Sequence, residues 1–391
     1  MGNKVIDIVN FNADASCLEC SHWFDSLKGG PNSVFYQWLK LYVELDKRVS
    51  LGIPGATLSD IAQFNPESIE LIKANPSIFE LILRPFAHDN ALLRNRYGFE
   101  KNLEFGIRTT EKLFGKVPDY YLPPEFMLNS EQVYVLHKNG VKGTFVNPER
   151  FSPEAKERIP TQPYILRGVL GSNLQCLPFY GPLTKGFLEG IHFYEAERWN
   201  KTVAESPTEI SICWRDGESA FLLPDTVKRE EAWLIGESRS ITRIHLGDEP
   251  IEFTPNDSLK PNEYKGYPFH SFAPWLKEMR LIGFTNKVGK IEEILENLSE
   301  EKVFHWLQVI NSDILSSVEK DSPKIQIQKS LDDRGRFDYR IWRTERAFEG
   351  EEYLSLLKES EKEKGHEFYS VASDSPHMVK FNSRMEFLRG L

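Results

Sequence analysis

The sequence predicts an α/β protein in which helices cover a parallel sheet that is either closed or doubly wound. Two observations support this fold class. Strand-like and helix-like segments alternate through the first two thirds of the chain. The strand-like segments are also apolar along most of their length, as is typical of a sheet covered on both faces. The length of 391 residues suits one large domain with an addition.

Nine segments are predicted to be strands because they are short, apolar and bounded by polar or turn residues. In chain order they are Val5–Phe11, Val49–Ile53, Ile78–Leu83, Tyr120–Leu122, Gly143–Val146, Tyr164–Arg167, Leu174–Phe179, Glu209–Trp214 and Ile241–Leu246. Since helical segments separate most of them, we expect parallel pairing.

Helices are predicted where apolar residues recur every three to four positions. These segments are Val34–Leu45, Leu58–Ala74, Phe99–Leu113, Ser130–Asn139, Leu183–Asn200 and Val227–Ser238. The second is expected to break near Pro66, and Gly140 follows the fourth as its C-cap.

The character of the sequence changes from about Pro274 onward. Amphipathic helices are predicted over Ile291–Leu298, Glu301–Val318 and Glu351–Lys364, with a small ribbon formed by Lys324–Lys329 and Phe337–Trp342. We therefore predict an α/β domain over residues 1–275 and a C-terminal, mainly helical domain over residues 276–391 that packs on it.

Composition restricts the partners and the compartment. The net charge of −10 disfavours nucleic acid and anionic membrane surfaces. The first ten residues contain an apolar run interrupted by Asp7, which is too short and too polar for a signal peptide or a membrane span. Four cysteines (Cys17, Cys20, Cys176 and Cys213) fit a reducing compartment better than a disulfide framework. We expect a cytoplasmic protein, and the oligomeric state stays open, a homo-oligomer included.

Polar residues follow several predicted strands. They lie in the segments 10–14, 84–89, 122–125 and 214–218, and a fifth candidate is 245–249. In a parallel sheet the carboxyl ends of the strands meet on one face, so residues distant in sequence converge there. Glu125 stands out because Pro123 and Pro124 end its strand and stiffen the turn that carries it.

Two carboxylates at such a face suit glycoside chemistry. One attacks the anomeric carbon, and the other protonates the leaving oxygen and later activates the incoming water or sugar hydroxyl. A retaining mechanism needs them about 5 to 5.5 Å apart. Glu125 is the candidate nucleophile and Asp216 the candidate acid, desolvated by Trp214 and Phe221. Arg215 is the alternative partner of Asp216, because pairing with it would favour the charged aspartate.

Several of these segments resemble glycoside hydrolase family 57. The resemblance lies in Ile78-Phe-Glu-Leu-Ile-Leu-Arg-Pro-Phe-Ala-His88, in Val117-Pro-Asp-Tyr-Tyr-Leu-Pro-Pro-Glu125 and in Asp216-Gly-Glu218. It implies an incomplete (β/α)7 barrel followed by a helical region. It also implies activity on α-glucans as an amylase, 4-α-glucanotransferase or branching enzyme, without metal or cofactor. His88 matches the histidine of the family's second region, Glu125 its nucleophile and Asp216 its acid/base.

The sequence departs from the family in its first region. The family usually has a His-x-His pattern after the first strand, where this chain has Phe11-Asn12-Ala13-Asp14. We predict that Asn12, Asp14, His88, Trp214, Asp248 and Glu249 contact an oligo- or polysaccharide substrate. Each has a structural alternative, namely a turn cap for Asn12 and Asp14, a core histidine for His88, packing for Trp214 and a solvated turn for Asp248 and Glu249.

Two other functions stay open at this stage. A metal-dependent hydrolase resembling the polysaccharide deacetylases could use Asp14 and His88 as two ligands, although the His-x-x-x-His spacing of such sites is missing around His88. Stoichiometric zinc or another divalent ion in the purified protein would favour it. A catalytically silent barrel that binds a glycan or a protein is favoured by the replaced histidines, and oligosaccharide binding without turnover would support it.

Overall fold

The computed structural model describes residues 3–12, 26–148, 160–183, 196–217, 221, 225–255, 292 and 294–310. The strands are β1 (Asn3–Asn10), β2 (Val49–Gly52), β3 (Phe79–Ile82), β4 (Tyr120–Tyr121), β5 (Gly143–Val146), β6 (Tyr164–Arg167), β7 (Asn173–Pro178), β8 (Ile210–Asp216), β9 (Ile241–Arg243) and β10 (Thr254–Pro255). The helices are α1 (Val34–Glu44), α2 (Gly55–Phe64), α3 (Pro66–Ala74), α4 (Arg96–Phe114), α5 (Ser130–Lys138), α6 (Ala196–Ala204), α7 (Thr226–Gly236) and α8 (Glu300–Val309).

One sheet is built around β1 and is parallel throughout. Its order is β3-β2-β1-β8, and β9 also pairs with β1. β8 runs beside β1 from Lys4 to Asn10, whereas β2 pairs with the carboxyl half of β1 and β9 with its amino half. The carboxyl ends of β1, β2, β3 and β8 therefore lie at one edge of this sheet, and β9 lies toward the opposite edge.

In a second sheet, most strands run in the same direction as those of the first. Its order is β10-β6-β7-β5-β4, in which β4, β5 and β7 are mutually parallel and β6 returns antiparallel to β7. The Leu83 amide donates to the Tyr120 carbonyl at 2.8 Å, which joins this sheet to the end of β3. The Tyr180 amide, just past β7, donates to the Ile212 carbonyl of β8 at 2.8 Å. Polar residues after β3, β4 and β8 are thus brought to one face, as the sequence predicted.

The two faces of the first sheet bury different clusters, because successive side chains of a strand alternate. Ile6, Ile8, Ile212 and Trp214 face a cluster that also contains Leu122 and Phe126. Val5, Val9 and Cys213 face the helices, where they pack with the buried residues Phe35, Trp38 and Leu39 of α1. We refer to these as the inner and the helix-covered face of the sheet.

A buried ionic network lies on the helix-covered face. Asp7 of β1 accepts hydrogen bonds from Arg215 at 3.0 and 3.1 Å and from Arg243 at 2.7 Å. Arg215 also contacts Glu230 of α7 at 2.8 Å, and Arg243 contacts Glu237 at 3.0 Å. Burial alone would raise the pKa of Asp7, but the two guanidinium groups outweigh it and hold that pKa below its usual range. The network ties β1, β8 and β9 to α7.

The predicted strands and most of the predicted helices are confirmed where they fall on described residues, although most of their bounds shift by one to three residues. β8 extends past Trp214 to Asp216, and the predicted strand Ile241–Leu246 ends at Arg243 because residues 246 to 249 turn. Of the helix predicted over Leu183–Asn200, the structure describes Leu183, which is helical, and the helix Ala196–Ala204, which runs on past Asn200. Of the helix predicted over Ile291–Leu298, the structure describes a 3₁₀ turn at Leu295–Asn297.

The C-terminal part that the structure describes packs on α4 and on the loop before it. Phe304 of α8 meets Phe86 with ring centroids 5.4 Å apart, and Glu300 pairs with Arg108 at 2.9 Å. The predicted domain boundary, the helix Glu351–Lys364 and the predicted ribbon lie outside the described residues. Within those residues, no helix combines the length and the apolar character that crossing a membrane requires.

Candidate active site

Glu125 projects from a tight turn at the carboxyl end of β4. Pro123 and Pro124 follow the strand, and residues Pro124–Phe126 form a single 3₁₀ turn. Glu125 and Phe126 both have left-handed backbone conformations, with φ of 53° and 56°. Each such residue costs about 1 to 3 kcal/mol, and strain of this kind is concentrated at functional sites. The sequence identified this turn from its prolines.

Helix α5 fixes the residues that follow the Glu125 turn. Asn129 caps α5 through a capping box, in which its side chain accepts from the Gln132 amide at 2.9 Å and the Gln132 side chain accepts from the Asn129 amide at 3.0 Å. The Gln132 side chain also donates to the Ala91 carbonyl at 2.5 Å. Because Ala91 belongs to the segment after β3, the Glu125 turn and that segment are held together.

His88 is the residue of that segment that reaches Glu125. Its Nε2 lies 3.2 Å from Glu125 Oε1, and its Nδ1 lies 2.6 Å from an Nη atom of Arg84. A guanidinium group only donates hydrogen bonds, so Nδ1 must accept and the ring proton must sit on Nε2. His88 therefore donates to the carboxylate of Glu125. The structure places together two residues that the sequence predicted separately.

Arg84 is a residue of this cluster that the sequence analysis missed. Besides His88 Nδ1, it donates from its other Nη atom to the Leu122 carbonyl at 2.9 Å. Arg84 is buried, as is His88. The sequence placed Arg84 in the polar segment 84–89 but no role was predicted for it; the available signal is a charged residue directly after an apolar strand and before Pro85.

The loop that carries His88 is hydrogen-bonded to α4 and packed closely against it. The Asn102 side chain accepts from the Ala87 amide at 2.7 Å and donates to the Ala87 carbonyl at 3.1 Å. Gly106 of α4 packs so closely that a Cβ there would lie 2.5 Å from the Arg84 carbonyl oxygen. These contacts leave the backbone before His88 little freedom.

A second buried ionic group supports the end of the same loop. Arg94 donates to Asp89 at 2.9 Å and lies 3.9 Å from Glu292, which accepts from the Asn95 amide at 3.1 Å. Burial raises the pKa of Glu292 to about 7, although Arg94 opposes this, and burial likewise raises the pKa of Asp89. The described C-terminal residues thereby contact the segment that positions His88.

Asp216 ends β8 opposite Asn10 of β1. By strand alternation it lies on the inner face with Ile212 and Trp214. The Trp214 and Phe126 ring centroids are 5.1 Å apart at an interplanar angle of 81°. The residue after Glu125 therefore packs on the residue two before Asp216, and both acidic residues lie at the carboxyl ends of their strands.

Arg215 points the other way. It is buried on the helix-covered face with Asp7, Glu230 and the Trp233 ring, whose centroid lies 4.7 Å from its guanidinium carbon. The sequence left open a pairing of Arg215 with its neighbour Asp216. In the structure, Arg215 makes the contacts just described instead.

The remaining predicted substrate contacts separate into four groups. Asn12 follows β1, and its side chain accepts from Asn10 at 2.6 Å at the same carboxyl edge. Asp14 lies outside the described residues. Trp214 is buried against Phe126, which is the packing role weighed for it above.

Asp248 and Glu249 lie at the other edge of the sheet. Asp248 pairs with Arg48, directly before β2, and Glu249 pairs with Lys4 at the beginning of β1. Lys4 and Asn10 are six positions apart on β1, which at strand rise is about 20 Å. The structure does not bring these two residues to Glu125 and Asp216, because β9 pairs only with the amino half of β1.

A mostly apolar cavity of about 170 Å³ lies where β7 meets β8, and its walls include Phe179, Tyr180, Ile210 and Ile212. Phe179 also packs on Phe126 with ring centroids 5.4 Å apart, so one residue of the cavity wall contacts the residue after Glu125. Among the described residues, no group of three or more His, Cys, Asp or Glu side chains is arranged to hold a metal ion.

Residues 14–216 match the family model for Glycosyl hydrolase family 57. The matched range is more than half of the 391 residues and contains His88, Glu125 and Asp216. The chain therefore belongs to glycosyl hydrolase family 57, a family of glycoside hydrolases and transferases. No curated protein matches it by sequence.

Solved structures share the α/β fold at low sequence identity. The 4-α-glucanotransferase from Thermococcus litoralis superposes with a TM-score of 0.66 at 12% identity, over 89% of this chain and 59% of its own length. A GH57-type branching enzyme from Pyrococcus horikoshii gives 0.64 at 12%, over 89% and 94%. The α-amylase AmyC from Thermotoga maritima gives 0.57 at 10%, over 97% and 99%. This chain thus spans less than two thirds of the glucanotransferase.

Proposed function

We propose that this protein is a retaining glycoside hydrolase or glycosyl-transferring enzyme that acts on α-linked glucan or a related oligosaccharide. Glu125 is the nucleophile and Asp216 the acid and base. The observation that supports this proposal best is that Glu125, hydrogen-bonded to His88, and Asp216 lie at the carboxyl ends of their strands, while their neighbours Phe126 and Trp214 pack together.

The scaffold that we infer is an incomplete (β/α)7 barrel. Its strands run in the order β8-β1-β2-β3-β4-β5-β7, supported by the parallel pairings and by the hydrogen bonds from Leu83 to Tyr120 and from Tyr180 to Ile212. Catalytic groups of such scaffolds are found at the carboxyl ends of the strands. The C-terminal region packs on the barrel through contacts such as Phe304 with Phe86.

The reaction proceeds in two displacements. Glu125 attacks the anomeric carbon while Asp216 protonates the leaving glycosidic oxygen, which gives a covalent glycosyl-enzyme. Asp216 then takes a proton from water or from a sugar hydroxyl, which attacks the same carbon and releases Glu125. The hydrogen bond from His88 Nε2 to Glu125 Oε1 orients the carboxylate for the first step.

The substrate class rests on family membership and on the neighbours. The structures that share the fold include a 4-α-glucanotransferase, a branching enzyme and an α-amylase. We extend α-glucan activity from them to this chain as a proposal. Buried free Cys176 and Cys213 are compatible with the reducing cytoplasm that we propose as its location.

The deciding experiment traps the glycosyl-enzyme. Asp216→Asn protein is mixed with α-maltosyl fluoride, whose fluoride leaves without acid assistance, and the digest is examined by mass spectrometry. We expect a maltosyl group on the peptide that contains Glu125. Glu125→Gln should give no adduct and should lower turnover of maltooligosaccharides by about a thousandfold or more.

Glu249→Gln is the matched control, because Glu249 is a carboxylate after a strand at the opposite edge. It should keep wild-type turnover. Wild-type activity in Glu125→Gln, or an adduct on another residue, would reject Glu125 as the nucleophile. Binding of maltooligosaccharides by the wild type without turnover or adduct would instead favour the silent barrel, and stoichiometric divalent metal would favour the deacetylase-like hydrolase.

A further inference from the structure

We propose that Arg84 is a positioning residue that keeps His88 in the one tautomer able to donate to Glu125. The proposal rests on the proposed function for its catalytic meaning, because it assigns a task to a residue behind the nucleophile. Its structural basis is independent of activity and consists of three successive contacts, from Leu122 through Arg84 and His88 to Glu125.

The directions of the two hydrogen bonds of the His88 ring fix its tautomer. One Nη atom of Arg84 lies 2.6 Å from His88 Nδ1, and guanidinium has no acceptor atom. Nδ1 must therefore present its lone pair, which leaves the proton on Nε2. His88 Nε2 lies 3.2 Å from Glu125 Oε1, so the same proton is the one donated to the carboxylate. In the other tautomer, Nδ1–H would face the guanidinium and a bare Nε2 would face the carboxylate.

Arg84 also holds the backbone from which Glu125 projects. Its other Nη atom donates to the Leu122 carbonyl at 2.9 Å, three residues before Glu125. The planar guanidinium group of Arg84 thus orients both the His88 ring, which contacts the Glu125 carboxylate, and the backbone from which Glu125 projects. Lysine cannot reproduce this arrangement, because its single ammonium group lacks the planar spacing of two donors.

The position of Arg84 is fixed by its surroundings. It is 2% exposed. A Cβ added at Gly52 would lie 3.8 Å from Arg84 Cδ, and one added at Gly106 would lie 2.5 Å from the Arg84 carbonyl oxygen. β2 therefore packs against the side chain of Arg84 and α4 against its backbone carbonyl, which restricts it as preorganised positioning groups require.

The experiment reads the tautomer directly by two-bond ¹H–¹⁵N correlation spectra of ¹⁵N-histidine-labelled full-length protein. The His88 signals are assigned by their loss in His88→Asn. In the wild type we expect a protonated Nε2 and an unprotonated Nδ1. His137 is an internal reference of the opposite kind, because its Nδ1 lies 3.0 Å from the Asn173 carbonyl oxygen and must donate. An Nδ1–H pattern for His88 in the wild type would overturn the proposal.

Two arginine variants sharpen the test. Arg84→Met should mix the two His88 tautomers and lower kcat about a hundredfold with a smaller change in KM, because the nucleophile loses its oriented donor. Arg84→Lys should restore the Nε2–H tautomer partly and kcat partly. Arg48→Met removes an arginine that pairs with Asp248 at the amino ends of the strands and should leave the His88 pattern unchanged.

The outcomes separate the two proposals. Retention of the wild-type His88 pattern and kcat in folded Arg84→Met would overturn the role of Arg84. If Arg84→Met does not fold, the wild-type spectrum and Arg84→Lys still decide. Full activity of Glu125→Gln with an Nε2–H pattern for His88 would reject the proposed function while leaving the Arg84–His88 contact in place.

Discussion

The carboxyl and the amino ends of the parallel strands carry similar acidic turns in different surroundings. At the carboxyl edge, Glu125 accepts a hydrogen bond from a buried histidine that is itself backed by Arg84. At the amino edge, Asp248 and Glu249 pair with Arg48 and Lys4. The carboxylate of Glu125 is thus oriented by a preorganised neutral donor, whereas those of the amino edge are neutralised in partly exposed ion pairs.

This difference explains why a polar turn after a strand is not by itself evidence of a site. Exposed ion pairs contribute about 0 to 1 kcal/mol and are screened by salt. A buried donor that faces a carboxylate on a strained turn has a structural cost that a solvated turn does not have. We therefore expect the same substitution to have large effects at the carboxyl edge and small ones at the amino edge.

The largest difference is expected for the aspartates. Asp216→Asn removes the proposed acid and base and should lower turnover of unactivated oligosaccharide by about a thousandfold, because the leaving oxygen then departs without a proton. Asp248→Asn changes the same atoms at the amino edge and should stay within about twofold of the wild type. Rates measured on maltooligosaccharides compare the two directly.

An activated fluoride donor gives the internal check on this prediction. Asp216→Asn should form the glycosyl-enzyme from it at a rate much closer to wild type, since fluoride needs no acid assistance. Equal losses with both donors would assign Asp216 a structural role instead.

The sequence predicted the parts of this arrangement that depend on local chemistry. The prolines after Tyr121 predicted where β4 ends, and strand-end placement predicted that Glu125, His88 and Asp216 lie at one edge. The left-handed conformation of Glu125 was not predictable, because an ordinary glutamate disfavours it and the fold imposes it.

Long-range contacts account for what the sequence analysis missed or misplaced. Arg84 reaches the Leu122 carbonyl across 38 positions of the chain, a pairing that periodicity does not reveal. Asp248 and Glu249 follow a strand as predicted, but the pattern does not tell which half of β1 that strand joins. Arg215, next to Asp216, turns toward Asp7 because alternation places it on the other face.

The second largest difference is expected for the arginines. Arg215→Met leaves the buried carboxylates of Asp7 and Glu230 without one partner and should lower the free energy of unfolding by about 3 to 5 kcal/mol. Arg48→Met breaks the partly exposed pair with Asp248 and should cost at most about 1 kcal/mol. Urea unfolding followed by tryptophan fluorescence measures both. A loss below about 1 kcal/mol for Arg215→Met would mean that the network does not stabilise the fold.

The smallest difference is expected for two glycines. A Cβ at Gly217, directly after Asp216, would lie 2.4 Å from a ring carbon of Phe11 and 2.7 Å from a methyl carbon of Val9. Phe11 cannot yield easily, because it packs on Phe35 and Trp38 with ring centroids 5.4 and 5.5 Å apart. Gly217→Ala should therefore cost about 1 to 3 kcal/mol of stability. It should also lower activity, because the backbone that carries Asp216 must shift.

Gly247→Ala is the counterpart in the amino-edge turn. Among the described residues, no heavy atom outside its chain neighbours lies within 4 Å of a Cβ built there, and its φ lies outside the left-handed range that disfavours alanine. Its free energy of unfolding should stay within about 0.5 kcal/mol of the wild type. Unfolding curves together with oligosaccharide turnover test the pair. If Gly217→Ala unfolds earlier but keeps full turnover, Asp216 does not need the placement that Phe11 and Gly217 give it. The contrast between the two edges would then be one of stability and not of catalysis.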